Sequence, residues 1–82
     1  MVRRISGQED TAGHLKRLGD AVRAARNARG LSQEELADAA GIDRSHLGKI
    51  ERGERNVTLL NVIRIATALN GSAAGLLSEA GL

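Results

Sequence analysis

The sequence predicts a small all-α domain of five helices, and three observations support that prediction. Leu, Ile, Val and Ala recur at the three- and four-residue spacings of a helix, whereas Phe, Tyr, Trp and Cys are absent. Proline is also absent, so no helix is interrupted by a missing N–H group. Glycines followed by capping residues divide the chain into helical segments. Its 82 residues allow one domain with a thin aliphatic core.

The chain is predicted to begin with an arm and to continue as a single domain. Residues 1–13 are polar and lack a hydrophobic period, and we interpret them as a flexible N-terminal arm ahead of the domain formed by residues 14–82. Helix 1 is predicted from about His14 to Arg29 and is ended by Gly30. Its apolar face carries Leu15, Leu18, Val22 and Ala25.

Capping residues set the starts of the other helices. Ser32 begins helix 2, Glu35 completes a capping box, and Gly41 ends the helix. The apolar side of helix 2 carries Leu36, Ala37, Ala39 and Ala40. The remaining caps and helices are Asp43 before helix 3 (Arg44 to Arg52), Thr58 before helix 4 (Leu59 to Leu69) and Ser72 before helix 5 (Ala73 to Ala80).

The spacing from residue 33 to residue 52 is typical of a helix-turn-helix. Ala37 is small enough for a close helix crossing, and Gly41 allows the tight turn. Leu47 and Ile50 then face the core. An ordinary helical hairpin that binds nothing would share this pattern, so the outward face of helix 3 must decide between the two.

That outward face is polar and cationic. Ser45, Gly48, Lys49 and Arg52 lie opposite the core-facing residues, and Arg44 lies at the flank near the helix start. The chain as a whole has a formal net charge of only +2, so this asymmetry favours a DNA-reading surface over a merely solvated basic face. A glycine at position 48 either lets the helix approach a groove wall closely or has no role.

Other classes of function are disfavoured. His14 and His46 lie far apart without metal-ligand spacing or a nucleophile–base pattern, so we expect neither an enzyme nor a cofactor or small-molecule ligand. No apolar run reaches the roughly 20 residues that span a bilayer, and no secretory signal is present, so we expect a cytoplasmic protein without a membrane partner.

The string LGDAVRAARNARGLSQEELADAAGIDRSHLGKIERGERNVTLLNVIRIATAL resembles the Cro/C1-type (Xre) helix-turn-helix regulators, with GLSQEELA and KIERGER as specific segments. The resemblance implies a five-helix, lambda-repressor-like domain that binds a pseudo-palindromic DNA operator as a homodimer, with RNA polymerase as a further partner. By the same resemblance, base contacts fall to Arg44, Ser45, Lys49 and Gln33. Backbone contacts fall to Ser32, Arg52, Arg55 and Asn56. Arg26 and Glu51 match a structural ion pair of the family.

Within this family, IDRSHLGKIERGERN is similar to the controller proteins of restriction–modification systems. The similarity implies autoregulation through tandem operators. An antitoxin that binds a toxin and represses its own promoter is the alternative, and residues 1–13 are then the candidate toxin-binding segment.

Helices 4 and 5 carry more apolar residues than one core-facing stripe can use. We expect the stripe to consist of Leu59, Val62, Ile63, Ala66 and Leu69. The excess residues, Leu60, Ile65, Leu76 and Leu77, then form a homodimer interface. The alternative is that they complete a monomeric core.

Overall fold

The five predicted helices occur in the predicted order. The computed structural model describes Asp10 and residues 12–82, so most of the predicted arm lies outside the described residues. The helices are α1 (His14–Ala28), α2 (Gln33–Ala40), α3 (Arg44–Glu51), α4 (Leu59–Ala68) and α5 (Ala73–Glu79). Helices α1, α3, α4 and α5 each end one residue before the predicted boundary, and that boundary residue is the C-cap.

Most of the predicted caps form. The Ser32, Thr58 and Ser72 hydroxyls accept hydrogen bonds from backbone N–H groups in the first turns of α2, α4 and α5. Asp43 occupies the N-cap position of α3, but the prediction that it caps that helix is wrong, because its side chain makes no capping hydrogen bond. At the end of the predicted arm, both Asp10 carboxylate oxygens accept from Leu15 N–H, at 3.0 and 3.1 Å, and so secure the start of α1.

The helices enclose one aliphatic core. Helix α1 packs against α3 and α5, α2 packs against α3 and α4, and α4 packs against α5. The core residues are Leu18, Ala21, Val22, Leu36, Ala37, Ala40, Leu47, Ile50, Val62, Ile65, Ala66, Leu69, Leu76 and Ala80. The predicted core faces of α1 and α3 are therefore confirmed at Leu18, Val22, Leu47 and Ile50. On α2, by contrast, Ala39 is exposed.

A glycine sets the distance between α1 and α3. A Cβ atom on Gly19 would lie 2.4 Å from the Ile50 carbonyl oxygen and 2.5 Å from that of Glu51. No side chain fits such a gap, so α1 approaches the C-terminal end of α3 backbone to backbone. The position of α3, which carries the predicted DNA contacts, depends on this contact.

The predicted core stripe of α4 is confirmed at Val62, Ala66 and Leu69 but is wrong at its edges. Ile65 is 1% exposed and Leu76 is 6% exposed, so both are core residues rather than interface residues. Leu77 is half-buried and packs against the core. Conversely, Leu59 and Ile63 are 67% and 44% exposed, although the sequence placed both in the core. Leu60, at 54%, is the one predicted interface residue that is an exposed large hydrophobic side chain.

Among the described residues, no single helix has the length and apolar character to cross a membrane. Helices α4 and α5 pass that test of length and composition only when taken together, and they are bent by 92° relative to each other.

Candidate nucleic-acid interface

Helices α2 and α3 form the predicted tight pair. The Ser32 hydroxyl accepts from Glu35 N–H at 3.0 Å, and the Glu35 carboxylate accepts from Ser32 N–H at 2.9 Å, which confirms the capping box. Gly41 then takes a left-handed conformation with φ of 71°, and Ile42 N–H donates to the Ala37 carbonyl at 3.0 Å. These bonds close α2 and fix the direction in which α3 starts.

The outer face of α3 presents cationic and polar side chains. Arg44 and Ser45 are exposed, and Lys49 is half-buried one turn further along the same face. Neither Arg44 nor Lys49 forms an ion pair with any described residue. Their positive charges are therefore available to an anionic partner.

The residues that follow α3 extend this cationic surface. Arg52, Arg55 and Asn56 are all exposed in the segment between α3 and α4. The Arg52 guanidinium donates to the Glu54 carboxylate, with Nε 2.9 Å from Oε2. This bond raises the pKa of Arg52 and lowers that of Glu54. Arg52 thus reaches solvent already oriented by a neighbouring acid.

Two predicted DNA-contact residues at the start of α2 already form hydrogen bonds within the protein. The backbone N–H of Ser32 is bonded to Glu35, so only its hydroxyl proton is left to donate to another group. The Gln33 side chain lies back against the protein, and its Nε2 donates to Glu51 Oε1 at 3.0 Å. The side-chain amide oxygen of Gln33, Oε1, makes no hydrogen bond to a described residue.

Glu51 is the polar centre of the fold. Its side chain is 0% exposed, and Arg26 binds it through two hydrogen bonds of 2.7 and 3.0 Å. The predicted Arg26–Glu51 pair is therefore present. Burial raises the pKa of Glu51, but hydrogen bonds from Arg26 and Gln33 outweigh it and leave the pKa below its usual value. Glu51 therefore stays ionised near neutral pH, and the bond from Gln33 joins α2 to the end of α3.

Sequence reasoning missed parts of this network. Arg23 lies 3.5 Å from Glu51, and Arg26 also donates to the Leu31 carbonyl at 2.8 Å. One signal was visible, because Arg23 and Arg26 lie three residues apart and so share a face of helix 1. The bond from Gln33 gave no such signal, since it depends on the angle at which α2 crosses α3.

The sequence placed Gly48 on the exposed outward face of α3, but in the structure this residue is buried. The side chains of Gln33 and Arg52 lie next to it, so it is not a bare stretch of backbone. The explanation that Gly48 lets α3 approach a groove wall is not supported by this geometry.

No group of three or more His, Cys, Asp or Glu side chains in the described part of the chain is placed to hold a metal ion. His46 is half-buried, with Nε2 3.4 Å from the side-chain nitrogen of Asn61.

Known proteins with this arrangement are transcription regulators. A helix-turn-helix family model matches residues 22–76. The control protein C.SmaI of Serratia marcescens is 49% identical over 65 residues, which cover 79% of this chain and 77% of that protein. The crystal structure of the restriction–modification controller protein C.AhdI from Aeromonas hydrophila is 48% identical, with a TM-score of 0.74 over 76% of this chain and 94% of the other.

A regulator of a different kind is also similar. The clp gene regulator ClgR of Corynebacterium glutamicum is 32% identical, with a TM-score of 0.80 over 83% of this chain and 72% of the other. The fold is thus shared by regulators of different genes, and the two controller proteins have the higher sequence identity. The chain belongs to the helix-turn-helix family of the Xre (Cro/C1) type, whose members are DNA-binding transcription regulators and not enzymes.

Proposed function

We propose that this regulator binds a pseudo-palindromic operator as a homodimer and controls its own gene together with those of a restriction–modification system. The observation that carries the proposal is the unpaired cationic face of α3, formed by Arg44, Ser45 and Lys49. Such side chains at the start of a recognition helix suit hydrogen bonds to base edges in the major groove. The similarity to C.SmaI and C.AhdI supports the choice of regulated system.

The role proposed for each contact residue follows from its position on α2, on α3 or in the loop after α3. We assign base reading to Arg44, Ser45 and Lys49, and an outer base or backbone contact to Gln33. Phosphate contacts are assigned to the Ser32 hydroxyl, Arg52, Arg55 and Asn56. Phosphate contacts fix the register of a protein on DNA, whereas contacts to base edges select the sequence.

DNA binding determines where the proposed regulator acts and which protein it affects. The protein acts where the chromosome lies, which for a bacterial regulator is the cytoplasm. The structure describes one folded domain and no second module within residues 12–82. We therefore propose that it affects transcription through direct contact with RNA polymerase or by occluding it.

The antitoxin alternative depends on residues 1–13. Within that segment the structure describes Asp10, Ala12 and Gly13, and the Asp10 side chain is bonded to the backbone of α1. These three described residues show no feature that points to a protein partner.

The operator proposal is tested by selecting bound sequences from random DNA. The expected result is an inverted repeat with half-sites about one helical turn apart, which also occurs upstream of the protein's own gene. Recovery of no preferred sequence would contradict operator binding. A preferred site that is absent from that upstream region would contradict autoregulation alone.

We propose that the dimer forms through the exposed apolar face of α4, which consists of Leu59, Leu60 and Ile63. This face replaces the interface predicted from the sequence, because Ile65 and Leu76 are committed to the core. Helix α4 begins directly after the loop of residues 52–58 that leaves α3. A two-fold contact on α4 would therefore keep both recognition helices on one side of the dimer, about 34 Å apart on DNA.

The dimer is tested with Leu60→Glu, which places a charge in the proposed interface while leaving the core unchanged. We expect this variant to sediment as a monomer with wild-type helicity. Its operator affinity should fall about a hundredfold or more, because two linked half-site contacts become independent. Ala24→Glu, at an exposed position of α1, is the matched control and should remain dimeric. A wild-type protein that sediments as a monomer at tens of micromolar would contradict the proposal.

A further inference from the structure

Gly48 lies in the middle of α3, on the side where the proposed DNA contacts are. A Cβ atom built there would lie 3.2 Å from Arg52 Nη1, 3.7 Å from Gln33 Oε1 and 3.9 Å from Gln33 Nε2. The space that a side chain would take is thus bordered by two other side chains, one from α2 and one from the end of α3.

A glycine at this position is unfavourable for the helix itself. Glycine loses more backbone entropy in a helix than any other residue, and Gly48 has no positive φ that would require it. The three atoms nearest to its Cβ outside the backbone of α3 all belong to side chains, in contrast to Gly19, where α1 meets the carbonyls of α3. The neighbours for which a glycine at position 48 leaves room are therefore the side chains beside it.

Both of these side chains are held by acidic residues. Arg52 bonds to Glu54 through Nε and Nη2, which leaves Nη1 over Gly48. Gln33 bonds through Nε2 to the buried Glu51, so its amide lies along the same stretch of α3. Each side chain is fixed on one side by a carboxylate and borders the volume at Gly48 on the other, where a Cβ would crowd Arg52 and would make an ordinary van der Waals contact with Gln33.

We infer that Gly48 is a positioning residue for DNA binding, which leaves room for Arg52 and Gln33 to lie in their bonded orientations before DNA arrives. The inference rests on the proposed function, in which Arg52 contacts phosphate and Gln33 contacts an outer base or the backbone. Side chains that are ordered in advance lose less freedom on binding. Arg52 is affected more than Gln33, because 3.2 Å is shorter than an ordinary van der Waals contact and 3.7 Å is not.

The inference predicts opposite effects of Gly48→Ala on folding and on binding. The thermal unfolding midpoint of Gly48→Ala should equal that of the wild type or exceed it by up to about 4–8 °C. Alanine favours the helix, and the Arg52 guanidinium can move aside. Affinity for the operator selected from random DNA, and for a scrambled duplex of the same length, should fall by about two- to tenfold. Both should fall because a phosphate contact does not depend on sequence.

Gly75→Ala is the matched control. Gly75 is a helical glycine in α5, and a Cβ on it would lie 3.2 Å from the Ser72 hydroxyl oxygen, the same distance as at Gly48. This variant should leave both affinities unchanged.

A double-mutant comparison shows through which side chain Gly48 acts. In the Arg52→Ala background, Gly48→Ala should have less than half of its effect on affinity, since the displaced group is gone. Unchanged affinity in Gly48→Ala would overturn the inference. So would a lowered thermal midpoint, or an undiminished effect in both the Arg52→Ala and Gln33→Ala backgrounds. If Arg52→Ala and Gln33→Ala themselves leave all DNA binding intact, the assigned contacts fail, which is a separate result.

Discussion

Two arginine–glutamate pairs lie at the end of α3, with similar lengths and very different surroundings. Arg26 approaches Glu51 to 2.7 Å, with side-chain exposures of 12% and 0%. Arg52 approaches Glu54 to 2.9 Å, with exposures of 48% and 53%. The inner pair joins α1 to α3, and Gln33 adds α2, whereas the outer pair joins two residues of one turn. Burial and connectivity, and not distance, decide what each pair can do.

The comparison separates fold stability from DNA binding. A buried pair excludes water from both charges, so removing one partner leaves the other charge without compensation. An exposed pair is screened by solvent and contributes little to stability. We therefore assign the inner pair to holding α3 in place, and we propose that the outer pair orients Arg52 for its proposed phosphate contact.

The largest expected effect comes from breaking the inner pair. Arg26→Ala and Glu51→Ala should each lower the free energy of unfolding by about 3–5 kcal/mol, a large share of the stability of a small domain. A double-mutant cycle should give a coupling of about 0.5–3 kcal/mol. Arg23→Ala is the control, because Arg23 is 45% exposed and 3.5 Å from Glu51. It should cost below about 1 kcal/mol. Strictly additive losses for Arg26 and Glu51 would contradict the pairing.

A smaller effect is expected in acid. The folded pKa of Glu51 lies below its ordinary value of 4.5, so its contribution is present above the unfolded pKa and is lost as the pH falls through the folded pKa. Denaturant unfolding should therefore show a constant stability difference between wild type and Glu51→Gln at neutral pH. That difference should shrink below pH 4.5. Asp10, Glu35 and Glu54 also have lowered pKa values, but they are common to both proteins. A difference independent of pH would contradict this role of Glu51.

The region around α2 and α3 was predictable because its signals are local. Ser32 with Glu35 specifies a helix start, and Gly41 specifies the turn, and both act within a few residues. The pairing of Glu51 with Arg26 was predicted from the family resemblance, and the structure contains that pair. What local signals could not supply was the covering of Gly48, since that depends on side chains from two different segments.

The face of α4 was not predictable for the opposite reason. Seven of its ten residues are aliphatic, and the polar stripe of Asn61, Arg64 and Thr67 leaves an apolar arc wide enough to hold both Ile63 and Ile65. The packing of α2 and α5 against α4 selects the face with Ile65 and leaves the face with Ile63 in solvent. Successive residues of a helix are rotated by about 100° around its axis. A small error in the assumed core face of α4 therefore moves a residue from the core to the surface.

Arg44 is proposed to read a base and Arg52 to contact phosphate, and the DNA-binding mode depends on this division. The most direct test measures the affinity of Arg44→Ala and Arg52→Ala for the selected operator and for a scrambled duplex, over a range of salt concentrations. Arg29→Ala, an exposed arginine of the α1 C-cap, is the control and should change neither affinity.

Arg44→Ala should lose about 1–3 kcal/mol of binding free energy on the operator and almost nothing on scrambled DNA. Arg52→Ala should weaken both complexes alike and make the salt dependence shallower by about one. Equal losses on operator and scrambled DNA for Arg44→Ala would contradict the account.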